Sequence, residues 1–183
     1  MIERLRGEAG YSLVEMLTVM VIMSIVFAGI TTVFVSGSRA QTEQDRRFQA
    51  QLGTRLAMDK IRRDIHCASD VSPTSGYPRS SITFTLPSGC GGNVSWCTAA
   101  VTGYTSRYGL YRQLGSTCSS ATGVRIADYL TNTSGNVFVA FLHTAGCGCL
   151  ASLEINFKVS LKGSNVDSYE LTDNIFLRNS TRI

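Results

Sequence analysis

The chain has 183 residues, a formal net charge of +4 and 44% hydrophobic side chains. That length leaves room for one ordinary domain beside a membrane segment. The charge is too small and too dispersed to argue for nucleic-acid binding by itself. Arg4 and Arg6 precede an uncharged apolar run over 16–35, and no charged side chain occurs between Glu15 and Arg39. Roughly 20 such residues span a bilayer. A cleavable secretory signal has a shorter core, about 7–15 residues, with its cut site after the core. The basic residues ahead of the run keep that end in the cytoplasm, and a long following domain is carried outside. Glu15 is the oddity. A charged side chain costs about 2.5–3.5 kcal/mol at the centre of a membrane helix, so a carboxylate set against such a run marks a function with a partner.

The helical pattern continues beyond the apolar run, with no proline before Pro73. Basic residues (Arg39, Arg46, Arg47, Arg55, Lys60, Arg62, Arg63) interleave with acids (Glu43, Asp45, Asp59, Asp64). Glu43–Arg47, Asp59–Arg63 and Lys60–Asp64 stand four apart, a spacing that supports a helix by a few tenths of a kcal/mol per pair. Phe48, Leu52, Leu56, Ile61, Ile65 and Ala68 recur at helical intervals and predict an apolar stripe to be covered. One helix over 11–67 would be about 85 Å long at 1.5 Å per residue. Its basic residues admit a DNA-contacting face as an alternative, but the interleaved acids favour a solvated amphipathic helix.

From Pro73 onward Ser, Thr and Gly become frequent, and short alternating segments predict strands over 81–86, 94–101, 109–114, 124–129, 137–143, 152–161 and 168–177. A sheet with one apolar face and a helix with an apolar stripe must cover each other, so the predicted class is α+β: a long N-terminal helix with an antiparallel sheet packed on its C-terminal half. Residues 81–152 carry only Arg107, Arg112, Arg125 and Asp128 as charged side chains. Disulfide-stabilised loops explain so neutral a surface, with packing against neighbouring subunits as the sharper alternative. All six cysteines (Cys67, Cys90, Cys97, Cys118, Cys147, Cys149) lie after the apolar run, which in an exported domain reads as disulfides. Cys90 and Cys97 could close a local loop around Gly91 and Gly92, but six cysteines allow fifteen connectivities. Cys147-Gly148-Cys149 is too short to favour a bond between its own two cysteines, so each is expected to pair elsewhere.

The segment Gly10-Tyr11-Ser12-Leu13-Val14-Glu15 followed by the apolar run resembles the N-terminus of type IV prepilins and type II secretion pseudopilins. That family has a leader ending in Gly, then an apolar residue, usually Phe, with Glu fifth after the cut; Tyr11 departs from the Phe. The resemblance implies cleavage between Gly10 and Tyr11 by a prepilin peptidase, methylation of the new Tyr11 amine, and an assembly role for Glu15. It implies other pilins as partners, the membrane as the location before assembly, and no enzymatic activity. The organisation is then a leader over 1–10, a membrane or filament-core helix over 11–35, its amphipathic continuation over 36–72 and a β-rich head over 73–183. Three weaker likenesses lie in the head: Asp64-Ile65-His66-Cys67-Ala68, Leu110-Tyr111-Arg112 and the terminal Leu177-Arg178-Asn179. Many major pilins carry a proline in the later part of the hydrophobic helix, and none is present here. That favours a minor pilin or pseudopilin over a major pilin. A competence pseudopilin contacting DNA and a membrane-tethered secreted enzyme are the remaining alternatives.

Residues able to carry catalysis are few. The chain has two histidines, His66 and His143, and lacks the nucleophile-elbow, zinc-protease and phosphate-loop motifs. His143, Cys147 and Cys149 are close enough in sequence for a metal site, but oxidised cysteines are the simpler expectation, so neither metal nor cofactor is predicted. Trp96, Tyr104, Tyr108 and Tyr111 read either as a binding surface or, more simply, as core and cross-strand pairs. Asn93-Val94-Ser95 and Asn132-Thr133-Ser134 match the glycosylation triplet, a weak signal in so short a pattern.

Overall fold

The computed structural model describes residues 11–143, 148–161 and 168–180. It divides into two compact units, one ending at Asp45 and one beginning at Arg46. A single helix, α1 (Leu13–Cys67, 55 residues), contributes to both. In the first unit its side chains have no core: none of the residues 11–42 is buried, and the Ser and Thr hydroxyls turn back onto the helix. Thr18 donates to the Glu15 carbonyl at 2.9 Å, Ser24 to Val21 at 2.8 Å, and Thr31 to Phe27 at 2.5 Å. These bonds satisfy hydroxyls that lipid could not.

The second unit is α+β. Eight strands, β1 (Asp70–Ser72), β2 (Ser81–Thr85), β3 (Val94–Ala100), β4 (Tyr108–Leu114), β5 (Val124–Leu130), β6 (Phe138–Leu142), β7 (Ser152–Val159) and β8 (Tyr169–Phe176), form one antiparallel sheet. β1 to β5 are paired in chain order. β8 pairs along the whole of β7, so β6 and the end of β5 share the other edge of β7. A bridge between Arg79 and Phe138 brings the approach to β2 against β6 and curls the sheet. Seven of these strands fall where alternation predicts them. β1 does not: just past the end of the helix at Cys67, Asp70–Ser72 pairs with β2. Three residues are too few for alternation to register.

The predicted stripe is buried at Ile61, Ile65 and Ala68, but the buried face of α1 departs from it earlier in the helix. Ala50, Thr54, Ala57, Met58, Ile61, Asp64 and Ile65 are buried. Phe48, Leu52 and Leu56 are 66%, 46% and 57% exposed. Over 50–57 the small side chains face the sheet, letting helix and sheet approach closely, and the large ones are left outside. Trp96, Phe84, Phe138, Phe157, Leu110 and Leu153 supply the bulk of the core from the sheet side. Gly53, inside the helix, is about 1 kcal/mol less favourable there than alanine, and a Cβ added to it would meet nothing within 4 Å.

Gly135, between β5 and β6, is the tightest backbone approach. It sits at φ +70°, and a Cβ there would lie 2.6 Å from Thr98 Oγ1 and 2.8 Å from the Tyr108 ring. Thr98 donates its hydroxyl to the Gly135 carbonyl at 2.6 Å, tying this turn to β3. Gly135→Ala is expected to destabilise the protein by about 1–3 kcal/mol, the scale of a residue forced into a sparsely populated backbone region. Urea denaturation of the two proteins checks this; an unchanged midpoint would contradict it.

Candidate functional site

Tyr11 stands two residues before α1 and is exposed, and Glu15 lies in the first turn of that helix. A carboxylate there is favoured by the partial positive charge of the unpaired N–H groups. Beyond Glu15 the helix is long and apolar enough to cross a membrane, and its apolar stretch is unburied. Leu13, Val14, Met20, Ile25, Phe34 and their neighbours expose most of their surface. Such a segment requires lipid or other helices around it. Gly10 lies outside the described residues.

In the second unit, a few charged side chains are drawn into contacts between helix and sheet. Asp64, on the buried face of α1, accepts from Trp96 Nε1 at 2.8 Å and Arg112 Nε at 2.9 Å through Oδ2, and from an Arg112 terminal nitrogen at 3.1 Å through Oδ1. Trp96 and Arg112 are cross-strand partners in β3 and β4, so both reach the helix from the same sheet face. The predicted Lys60–Asp64 helix pair is therefore replaced by a helix-to-sheet pair. Asp59 pairs with Arg62 at 3.1 Å, and Arg62 bonds to Asp173 of β8 at 2.6 Å. Asn179 donates to the Cys67 carbonyl at 2.9 Å, closing the C-terminus of α1, and Leu177 beside it is fully buried.

A third cluster surrounds Asp128. Arg107 forms a two-pronged pair with it at 2.9 and 2.6 Å, Arg125 adds a contact at 3.1 Å, and Arg107 lies 3.7 Å from the Tyr129 ring centroid and 4.8 Å from that of Tyr104. Burial alone would raise the Asp128 carboxyl, but hydrogen bonds from Arg107 and from the Tyr129 N–H, with the charges of Arg107 and Arg125, hold it below the usual carboxylate range. The Arg107 guanidinium is raised in turn, chiefly by its hydrogen bonds to Asp128.

The family model for the prokaryotic N-terminal methylation motif matches residues 5–31. The N-terminus carries this motif, the feature on which the resemblance to type IV prepilins and pseudopilins rests. The motif implies processing by a prepilin peptidase, anchoring in the membrane and assembly with other pilins, in a family of structural subunits. No curated protein and no solved structure matches the chain significantly.

The head joins Cys67 to Cys90 and Cys97 to Cys118, with Cα separations of 6.4 and 5.8 Å. The local Cys90–Cys97 loop that the sequence left open does not form: Cys90 turns back to the end of α1, and Cys97 in β3 takes the cysteine after β4. Cys149 is also disulfide-bonded, and the expectation for Cys147 lies outside the described residues. Among the described residues no three His, Cys, Asp or Glu side chains converge as metal ligands. His66 Nδ1 lies 3.2 Å from the Phe176 carbonyl, and His143 packs edge-on to Phe141. Of the aromatic residues offered as a surface, Trp96 is fully buried, Tyr108 and Tyr111 are half-buried and Tyr104 is exposed. Asn132 is buried, donating to the Asn156 carbonyl and accepting from Lys158 N–H, so its side chain is structural; Asn93 is exposed. The convergence of Asp64, Trp96 and Arg112 escaped the sequence reading, although two of the three stood in segments singled out for likeness alone.

Arg112→Met is expected to cost about 3–5 kcal/mol, because it strands a buried carboxylate, whereas Asp64→Leu with Arg112→Met should recover most of that loss. Chemical denaturation of the wild type, the single variant and the double variant measures both; equal losses in the two variants would contradict it. Asp128 makes a separate acid-side prediction. Its carboxyl is held below its unfolded value, so the stability it adds is present at neutral pH and is lost as pH falls below about 4. Asp128→Asn should therefore flatten the decline of stability in that range, as followed by thermal melts across pH.

Proposed function

We propose that this chain is a non-enzymatic minor pilin or pseudopilin of a type IV pilus or type II secretion-like filament. The observation that carries this reading is the lone Glu15 in the first turn of an exposed apolar helix, within the matched methylation motif. A prepilin peptidase cuts between Gly10 and Tyr11 and methylates the Tyr11 amine. Glycine before the cut presents no Cβ to a tight cleft. Before assembly the helix crosses the cytoplasmic membrane once, with the head outside; afterwards it lies in an extracellular or periplasmic filament.

The new α-ammonium of Tyr11 and the Glu15 carboxylate of a neighbouring subunit neutralise each other where water is excluded. Deleting one member of such a pair costs about 3–5 kcal/mol, enough to select register as each subunit enters. The absence of proline from the hydrophobic helix supports a minor over a major subunit. A DNA-contacting role has less support, since Arg62 on the basic stretch of α1 is engaged by Asp59 and Asp173.

Mass spectrometry of protein taken from filaments should show a chain beginning at N-methylated Tyr11. Glu15→Val should leave membrane insertion and cleavage intact, since it removes a charge that hydrocarbon disfavours, and should abolish incorporation. Normal incorporation of the valine variant, or an intact leader in filaments, would refute this mechanism.

A further inference from the structure

A groove of about 240 Å³ runs between the first head turns of α1 and β5, lined by Arg46, Ala50, Gly53, Arg125, Asp128 and Tyr129 among others. Its helix wall is low because Ala50 and Gly53 are small. Among the described residues nothing requires the glycine: a Cβ on Gly53 would meet no atom within 4 Å. The space in front of it is kept open although alanine is the better helix former.

The opposite wall is built and held. The β4–β5 register shifts after Tyr108 and again after Leu110, and Tyr129 takes φ +64° in this irregular stretch, a backbone region sparsely populated by residues with a side chain. Asp128 accepts from Arg107 and the Tyr129 N–H through Oδ1, and from Arg107 and Arg125 through Oδ2. That carboxylate is thereby saturated. Arg125 remains 54% exposed, and Arg46, exposed on the other wall, has no ion-pair partner among the described residues. Of the charged residues lining the groove, Arg46 and Arg125 are basic and Asp128 is the one carboxylate. The groove therefore presents two accessible forked donors above a floor of small and apolar atoms.

We propose that this groove docks an extended acidic peptide segment of a neighbouring filament subunit, with a partner carboxylate bridging Arg46 and Arg125. Guanidinium forks match carboxylate geometry. The low wall of Ala50 and Gly53 admits a chain lying along it, as a bare anion site would not require. The identity of the partner rests on the filament reading above, whereas the recognition chemistry does not.

The test uses full-length protein in a zwitterionic detergent and, as probe, a fluorescent end-blocked hexapeptide of alternating Glu and Ala. Saturable binding is expected, weakening as salt rises from about 50 to 300 mM. Arg125→Glu and Arg46→Glu should each weaken it about tenfold or more. Arg178→Glu, the same charge change at an exposed position outside the groove, should not. Gly53→Leu should block the peptide while the thermal midpoint holds or rises, since leucine favours the helix and fills open space. Loss of binding in Arg178→Glu, retention in Gly53→Leu, no saturable binding, or tighter binding of duplex DNA through Arg46 and Arg125 would each overturn the proposal. If the variant pattern holds but the protein never enters filaments, the filament reading fails and the acidic-peptide site stands. If incorporation is normal and the pattern is absent, the reverse follows.

Discussion

The head is organised around one buried carboxylate. Asp64 lies on the helix face that the sheet covers, where an unpaired charge is expensive, and it is tolerated only because Arg112 and Trp96 approach from two adjacent strands. The two-pronged arginine contact has a narrow geometry. It therefore sets the rotation of α1, its position along the sheet and the register of β3 with β4 together. A purely apolar contact tolerates sliding by a turn or a fraction of a turn, and this one does not. Asn179 on the Cys67 carbonyl and Arg62 on Asp173 then attach the last strand to the same part of the helix.

That constraint accounts for the choice of helix face. Once Asp64 is directed at the sheet, the positions on its side of the cylinder are Ala50, Thr54, Ala57, Met58, Ile61 and Ile65. Phe48, Leu52 and Leu56 are carried outward with the rest of the helix. Greater apolar area would have favoured burying the larger side chains at about 25 cal/mol per Å², but doing so would turn Asp64 toward water and leave Arg112 and Trp96 without their acceptor.

The low charge of residues 81–152 has an internal explanation. Arg112 is engaged by Asp64, and Arg107 by Asp128, so neither contributes a free charge to the surface. Many hydroxyl and amide groups there hold backbone in place. Ser95 donates to the Gly115 carbonyl at 2.7 Å, and Gln113 accepts from Ser119 N–H and the Thr122 hydroxyl. With the Cys97–Cys118 bond they fasten the β4–β5 connection onto the outer sheet face. Arg125 and Arg46 are different, because their charges face a groove and remain accessible.

By itself the sequence determined whatever depends on neighbours along the chain. The methylation motif, the apolar run, the continuous helix to Cys67 and seven of eight strands are local patterns of charge, hydropathy and alternation, read at periods of about 3.6 and 2 residues. The tertiary structure decided which partners meet. Periodicity leaves the small-residue and large-residue faces of α1 as competing candidates for burial. Spacing offers Lys60 to Asp64, one turn away, and says nothing of Arg112, which is 48 positions distant. Sequence distance likewise favours Cys97 for Cys90, whereas the fold brings Cys67 to it. In each case the winning contact joins segments far apart in the chain. Its strength depends on burial and on alignment in three dimensions, which exist only after helix and sheet have packed.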